Sequence, residues 1–285
     1  MNLTDRIYVA VHLVLTALVC ARYQNVQHWP WYVAWNLCAI AIILLFAHKR
    51  RESITWEFAH DWLAAVFFIT VFEEVSFLSL ALRSGWQNVH INAFEALLFA
   101  LPPALWMHGR AAAWLVQFLE FGYFAFYPLY PVIGGIFWGW RERPAFANAF
   151  RRLTDAASVG YVICYTTYLL FPVRSPANSV GVQQFSGAPR GLFHSLVGLI
   201  QNHAGVRGNA FPSAHIMLAF VVLVFAYRFL PRLAPWLLFP VLLMCVGAVY
   251  DGYHYSSDVI AGALLGIVVG LSFAGRVTRR PYGRI

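Results

Sequence analysis

The feature that most constrains this chain is a succession of long apolar runs separated by short loops. Apolar windows fall at about 6–22, 31–47, 62–82, 111–139, 153–172, 214–230, 234–250 and 257–275. Each approaches the roughly 20 residues that carry an α-helix across a hydrocarbon layer. In lipid, a backbone satisfies its own polar groups only as a helix or a closed barrel. The expected fold is therefore all-α, a polytopic membrane helical bundle of about eight transmembrane helices. Composition agrees: 60% of residues are hydrophobic and only 11% charged, whereas soluble domains carry about 25% charged residues. A ninth apolar run, 91–107, is broken by Pro102-Pro103 and reads as a re-entrant or interfacial piece.

The net charge of +8 does not point to nucleic acid, because the basic residues sit in short loops and no soluble domain is long enough to form a groove. They read instead as orientation signals. With the N-terminus inside, Arg6, Lys49, Arg50, Arg51, Arg141, Arg143, Arg151, Arg152, Arg228, Arg232, Arg276, Arg279, Arg280 and Arg284 fall on the inner side, 14 of the 20 Lys and Arg. Only Arg22, Arg83, Arg110, Arg174, Arg190 and Arg207 fall outside. Eight spans with both termini cytoplasmic fit this asymmetry. The expected setting is a bacterial inner membrane, with the outer face periplasmic. No cleavable leader is expected, since the first run lacks a small-x-small site and leads directly into another span.

The organisation expected is N-terminal transmembrane helices over 1–152, a helical core over 153–275 and a basic tail over 276–285. The outer stretch 173–212 begins rich in Pro, Gly and Ser and reads as loop. Its second half places Leu192, Phe193, Leu196, Leu199 and Ile200 at helical spacing, which predicts a short helix in the outer interface. Cys20, Cys38, Cys164 and Cys245 all lie inside apolar runs without CxxC spacing. They read as small core residues, neither disulfide framework nor metal site.

Two polar stretches open apolar runs. "NAFPSAH", 209–215, precedes the run 214–230, and "HYSSD", 254–258, precedes the run 257–275. From His215 the chain crosses, turns near Arg228–Arg232, and returns through 234–250. A span of 17 residues covers roughly 25 Å, so His215 and His254 reach the same membrane face. Arg174, just past the fifth run, reaches that level too. His254 and Asp258 are spaced i, i+4, which on a helix places them on one face. A carboxylate there would take the proton of one ring nitrogen and leave the other basic, the arrangement of a nucleophile with an orienting acid. His215 would supply the leaving group with a proton. Ser213 stands where a helix begins and free N–H groups favour an anion. Arg174, with Arg207 or Arg190, would supply bidentate charge. This set reads as phosphoryl transfer through a phosphohistidine. The other histidines show no paired-ligand spacing, so no metal and no other cofactor is expected.

"FPSAH" followed by "GYHYSSDVIAGALLG" resembles the second and third signatures of the type 2 phosphatidic acid phosphatase superfamily, Pro-Ser-Gly-His and Ser-Arg-x5-His-x3-Asp. The resemblance covers roughly residues 153–275. It implies a nucleophile at His254, its partner at Asp258 and the leaving-group acid at His215. This chain departs from the pattern in its cations. The first signature, Lys-x6-Arg-Pro, has Thr167 in place of lysine and Ser175 between Arg174 and Pro176. The third has Ala248 in place of arginine, and Ala214 replaces the glycine of the second. The loss of these basic residues is similar to the inositol phosphorylceramide synthase and sphingomyelin synthase branches, which transfer a phospho-headgroup between lipids. The implied partners are membrane lipids, with a lipid phosphate or phospholipid as substrate.

Plainer readings stand beside these. Both histidines could cap helices at the interface, and Arg174 could snorkel. Asp251 reads as a solvated loop residue that could also hydrogen-bond within the site. Glu73 and Glu74, inside the third run, are expensive at such depth and suggest a headgroup cavity or a buried partner. A transporter or flippase for a lipid-like anion, without covalent chemistry, is the alternative from another class; it would put its polar groups near the bilayer midplane.

Overall fold

The computed structural model describes residues 1–82, 85–107, 112–179, 191–204 and 209–275. Three helices come first: α1 (Leu3–Ala21), α2 (Trp29–Lys49) and α3 (Ile54–Leu82). Then follow α4 (Asn88–Phe99), α5 (Pro103–Met107), α6 (Ala113–Phe124) and α7 (Phe126–Gly139). The remainder is α8 (Ala149–Leu170), the short α9 (Pro176–Ser179), α10 (Leu192–Ala204), α11 (Ala214–Phe229), α12 (Ala234–Tyr250) and α13 (Ser256–Ala274). The segments Leu3–Ala21, Trp29–Lys49, Ile54–Ser79 and Ser256–Ala274 are long and apolar enough to cross a membrane. The outward faces confirm the class. Leu264, Val268 and Leu271 of α13 are 59–63% exposed, yet the helix is apolar all round, as befits a lipid neighbour. The protein is an all-α helical membrane bundle.

One expected element differs in detail. The run 111–139 is not one helix but α6 and α7, parted at Ala125. Pro128 lacks an N–H group, so the carbonyl of Phe124 loses its helical partner where the helix parts, whereas Pro131 is carried inside α7. The run 91–107 divides at Pro102-Pro103 into α4 and α5, as its prolines dictate. The short helix expected in the second half of 173–212 is present as α10. It packs on α6, with Phe193 edge-on to Phe121 at 5.1 Å.

At the centre stands α8, which touches α1, α3, α7, α11 and α13. Its small buried residues, Ala156, Ala157, Ser158 and Gly160, let these neighbours approach. The closest pair is α11 against α13. On α13, Gly262 and Gly266 face α11, where a Cβ would meet the Ser213 carbonyl oxygen at 2.5 Å in the first case and overlap that of Met217 in the second. Both obstacles are backbone and cannot rotate away. Gly266→Leu is expected to prise α11 from α13, costing about 1–3 kcal/mol or more. The readouts are a lowered unfolding midpoint in detergent and a collapse of activity, because these two helices carry the site. An unchanged midpoint would contradict this packing.

The N-terminal helices are joined by polar links. His12 of α1 bonds the Asn36 side chain of α2, whose Nδ2 donates to Glu74 Oε1 of α3 at 2.6 Å. Glu74 thus finds a buried histidine through an intervening amide. At the end bearing Lys49 and Arg50, His60 lies 3.1 Å from both Asp5 and Asp61, and Thr4 donates to Asp155 at 2.7 Å.

Candidate active site

The site lies where α11 and α13 begin, and its backbone is stitched before any side chain acts. Ser213 N donates to the Asp258 carbonyl at 3.1 Å. Tyr168 of α8 is fully buried; its hydroxyl donates to the Pro212 carbonyl at 2.7 Å and accepts from Ala214 N at 3.2 Å. Ser213 is the N-cap of α11, its Oγ accepting from Ile216 N at 3.3 Å. These bonds satisfy N–H groups that a helix start leaves without partners. Between α12 and α13 the chain turns through Gly252, at φ 68°, a left-handed conformation that glycine adopts at no steric cost. His254 N then bonds back to the Ala248 carbonyl at 3.0 Å.

His254 does not lie on the helix with Asp258, as the i, i+4 spacing suggested; α13 begins two residues later. The two side chains meet nonetheless. Nδ1 of His254 is 3.1 Å from the Ala210 carbonyl oxygen and 3.4 Å from Asp258 Oδ2. Asp258, fully buried, uses the same Oδ2 to accept from Tyr255 N at 2.8 Å. A carbonyl only accepts, so in the neutral ring the proton sits on Nδ1 and the lone pair on Nε2. Nε2 faces Ser213 Oγ at 3.0 Å, and the hydroxyl is its donor. Burial pushes the His254 imidazole down to about 4, against a smaller upward pull from the Ala210 carbonyl. The ring is therefore neutral at pH 7, with the Nε2 lone pair turned to the Ser213 hydroxyl.

His215, in the first turn of α11, is partly exposed. Its ring is bordered by Phe126 at 4.9 Å, Phe72 at 5.9 Å, Tyr123 at 6.2 Å and His254 at 6.3 Å between centroids. The sequence could not indicate that three aromatic rings on α3, α6 and α7 surround it.

Of the expected cations, Arg174 is brought to the margin. Asn88 clamps its backbone: Arg174 N donates to Asn88 Oδ1 at 2.9 Å and Asn88 Nδ2 to the Arg174 carbonyl at 2.8 Å. The guanidinium lies over the Trp86 ring at 4.3 Å, a cation–π contact. The segment is further held by Ala210 N on the Val173 carbonyl and Ala177 N on the Gly252 carbonyl, each at 3.1 Å. Arg207 and Arg190 lie outside the described residues. At the positions where the resemblance would bring cations, Ala248 is fully buried and Thr167 Oγ1 bonds the Ile163 carbonyl at 2.9 Å.

Two further carboxylates enter the site. Glu95 of α4 is fully buried, and its Oε1 accepts from Ser257 N, in the first turn of α13, at 2.6 Å. A negative group there suits the positive end of the helix. Glu120 of α6 accepts from Tyr253 OH at 3.2 Å. No local motif marks either residue; a charge inside an apolar run was the only signal.

Fold and site together define a class, a helical membrane protein with two histidines, a carboxylate and a serine gathered at one end of the bundle. A model of the PAP2 superfamily matches residues 121–281, more than half of the chain and every described residue of this site on α11, α13 and the turn before it. The chain belongs to the PAP2 superfamily, whose members are generally phosphatases and phosphotransferases that work without metal. The match identifies the superfamily and no branch within it. No curated protein and no solved structure matches the chain.

Proposed function

We propose that the protein is an integral-membrane lipid phosphoesterase, a phosphohydrolase or phospho-headgroup transferase, acting through a phosphohistidine on His254. The observation that carries this reading is the state of His254: Nδ1 is held by the Ala210 carbonyl with Asp258 behind it, and Nε2 keeps a lone pair. In the first step Nε2 attacks phosphorus and the bond from phosphorus to the leaving oxygen breaks, while His215 gives that oxygen a proton. The imidazolium-like charge on the phosphorylated ring is balanced by Asp258. In the second step His215 takes a proton from water or from the hydroxyl of a second lipid. That oxygen attacks phosphorus, the P–N bond breaks, and His254 is restored. Ser213 Oγ turns from Nε2 to a phosphoryl oxygen.

The basic residues favour a site on the periplasmic side of a bacterial inner membrane, with substrate drawn from the outer leaflet. Thr167 and Ala248, in place of lysine and arginine, favour a diester over a more highly charged monoester, in keeping with the inositol phosphorylceramide and sphingomyelin synthase branches. A transporter would concentrate polar groups mid-span. On α1, α2 and α3, His12, Asn36 and Glu74 are instead bonded to one another from helix to helix.

The test is to quench the enzyme during turnover of phospholipids labelled at phosphorus, with a chelator present throughout. A covalent adduct that is labile to acid and stable to base, located on His254, is the expected result. Turnover without any such adduct under rapid quench would refute the phosphohistidine.

A further inference from the structure

The helix α4 precedes the segment 121–281 that the superfamily model matches, yet it holds two sides of the site. Its buried face is Asn88, Ile91 and Glu95, spaced i, i+3, i+7, one stripe of a helix. Each member of the stripe ends on an element of the site. Ile91 packs with Val173, Ala210 and Tyr255: one precedes Arg174, one lends its carbonyl to His254, one follows His254. Glu95 receives Ser257 N at the start of α13 at 2.6 Å. Asn88 reaches furthest. It bonds both the N–H and the carbonyl of Arg174, and its Nδ2 also lies 3.3 Å from the Tyr255 hydroxyl. That hydroxyl, on a fully buried ring, is 2.6 Å from Ser179 Oγ. Tyr255 N donates to Asp258 Oδ2, the oxygen 3.4 Å from His254 Nδ1. One amide therefore joins Arg174 to the residue beside the nucleophile.

The neighbours of Asn88 serve the same arginine. Gln87 N donates to the Pro172 carbonyl at 2.9 Å, and Trp86 lies under the guanidinium. Residues 86–88 thus set both the backbone and the side chain of Arg174. The amide at 88 is specific to this task, because it accepts from an N–H and donates to a carbonyl at once. An aspartate of the same shape would turn an anion to the Arg174 carbonyl, and an apolar residue would bond neither group. A hydrogen bond on each side of one Cα fixes the direction in which its side chain leaves. That direction matters here, since Thr167 and Ala248 stand where the signatures have their other cations. We infer that Asn88 is a positioning residue, which holds Arg174 in register with His254 so that a phosphate bound by the one is in line for attack by the other. The inference rests on the phosphoesterase reading, in which Arg174 takes a phosphate oxygen.

The test is a double-mutant cycle on the full-length protein in detergent. Turnover of phosphorus-labelled phospholipids at limiting concentration, which follows kcat/KM, is measured for wild type, Asn88→Asp, Arg174→Gln and the double variant. Arg174→Gln is expected to lose about 10²–10³-fold, the worth of one donor to developing charge. Asn88→Asp is expected to lose about 10²-fold, the scale of an ångström's misplacement. Added to Arg174→Gln, it is expected to cost less than about threefold more, because the arginine it served is gone. A merely structural asparagine would cost the same in both backgrounds, and losses that multiply in this way would overturn the inference. So would an Asn88→Asp or Arg174→Gln protein within about threefold of wild type. Should Asn88→Asp fail to fold, Asn88→Ala, which removes both bonds without adding charge, takes its place in the cycle with the same outcomes. A failure of the phosphoesterase reading would appear differently, as no wild-type turnover or as turnover that His254→Ala leaves unchanged.

Discussion

Replacing His254 with alanine is expected to lower turnover by at least about 10⁴-fold, the scale on which enzymes lose a nucleophile with no substitute. No other described side chain at the site offers a lone pair in the same place. Ser213 Oγ is nearby, but its base would be the ring that has been removed. The loss is to be read on folded protein, because the alanine also strands Ser213 Oγ and the Ala210 carbonyl, which costs about 1–3 kcal/mol for each group left unpaired. Size-exclusion profile and unfolding midpoint make that distinction. A variant that folds and retains more than a few per cent of wild-type turnover would remove His254 from the chemistry.

The same residue fixes a pH signature. Its neutral form is the nucleophile, and burial holds the folded imidazole down to about 4. The acid limb of kcat/KM in the wild type is therefore expected near pH 4, well below the 6.5 of a free imidazole. The sign for stability runs the same way. With the folded value below the unfolded one, the unfolded chain binds the proton more readily. The ring's contribution is complete above about pH 6.5 and is lost as pH falls from there towards about 4.

His215→Ala is expected to cost 10²–10⁴-fold on a phospholipid, the usual worth of a positioned acid. An alkoxide leaves poorly without a proton, and His215 is the other imidazole among the described residues of the site. Its environment is apolar on three sides, from Phe72, Tyr123 and Phe126, so no neighbour replaces it easily. The discriminating measurement is leaving-group dependence. A p-nitrophenyl phosphoester expels a stable phenolate, and the loss on that substrate is expected to shrink to about tenfold or less. An equal loss on both substrates would make His215 a packing or binding residue and leave the leaving group's proton to another donor.

Much of this site was readable before the fold. "FPSAH" and "HYSSD" each stand before an apolar run, and helix rise alone brings His215 and His254 to one face. The cap at Ser213 was equally legible, because serine before a helix has one common use. Less legible was how His254 is held. Spacing pointed to a shared helical face, yet the ring precedes α13, and its nearer Nδ1 partner is a carbonyl from Ala210, 44 residues earlier. Backbone carbonyls carry no sequence signal. The same holds for Asn88, whose side chain fixes the backbone of Arg174 from a helix 86 residues away, and for Glu95 at the start of α13.

By itself, then, the sequence determined that this protein is a bundle of membrane helices and that two histidines and a carboxylate meet at one face of it. The reason is that the bilayer imposes helices of nearly fixed length, so the order of spans sets the depth of every residue. Tertiary structure alone decided which helices touch and which side chains stand around those histidines. That follows from lateral packing, where Gly262 and Gly266 admit α11 and α13 to contact and a proline-broken α6–α7 brings Tyr123 and Phe126 beside His215. Depth is a property of one segment at a time; the neighbours across a helix interface are chosen by shapes that belong to no single segment.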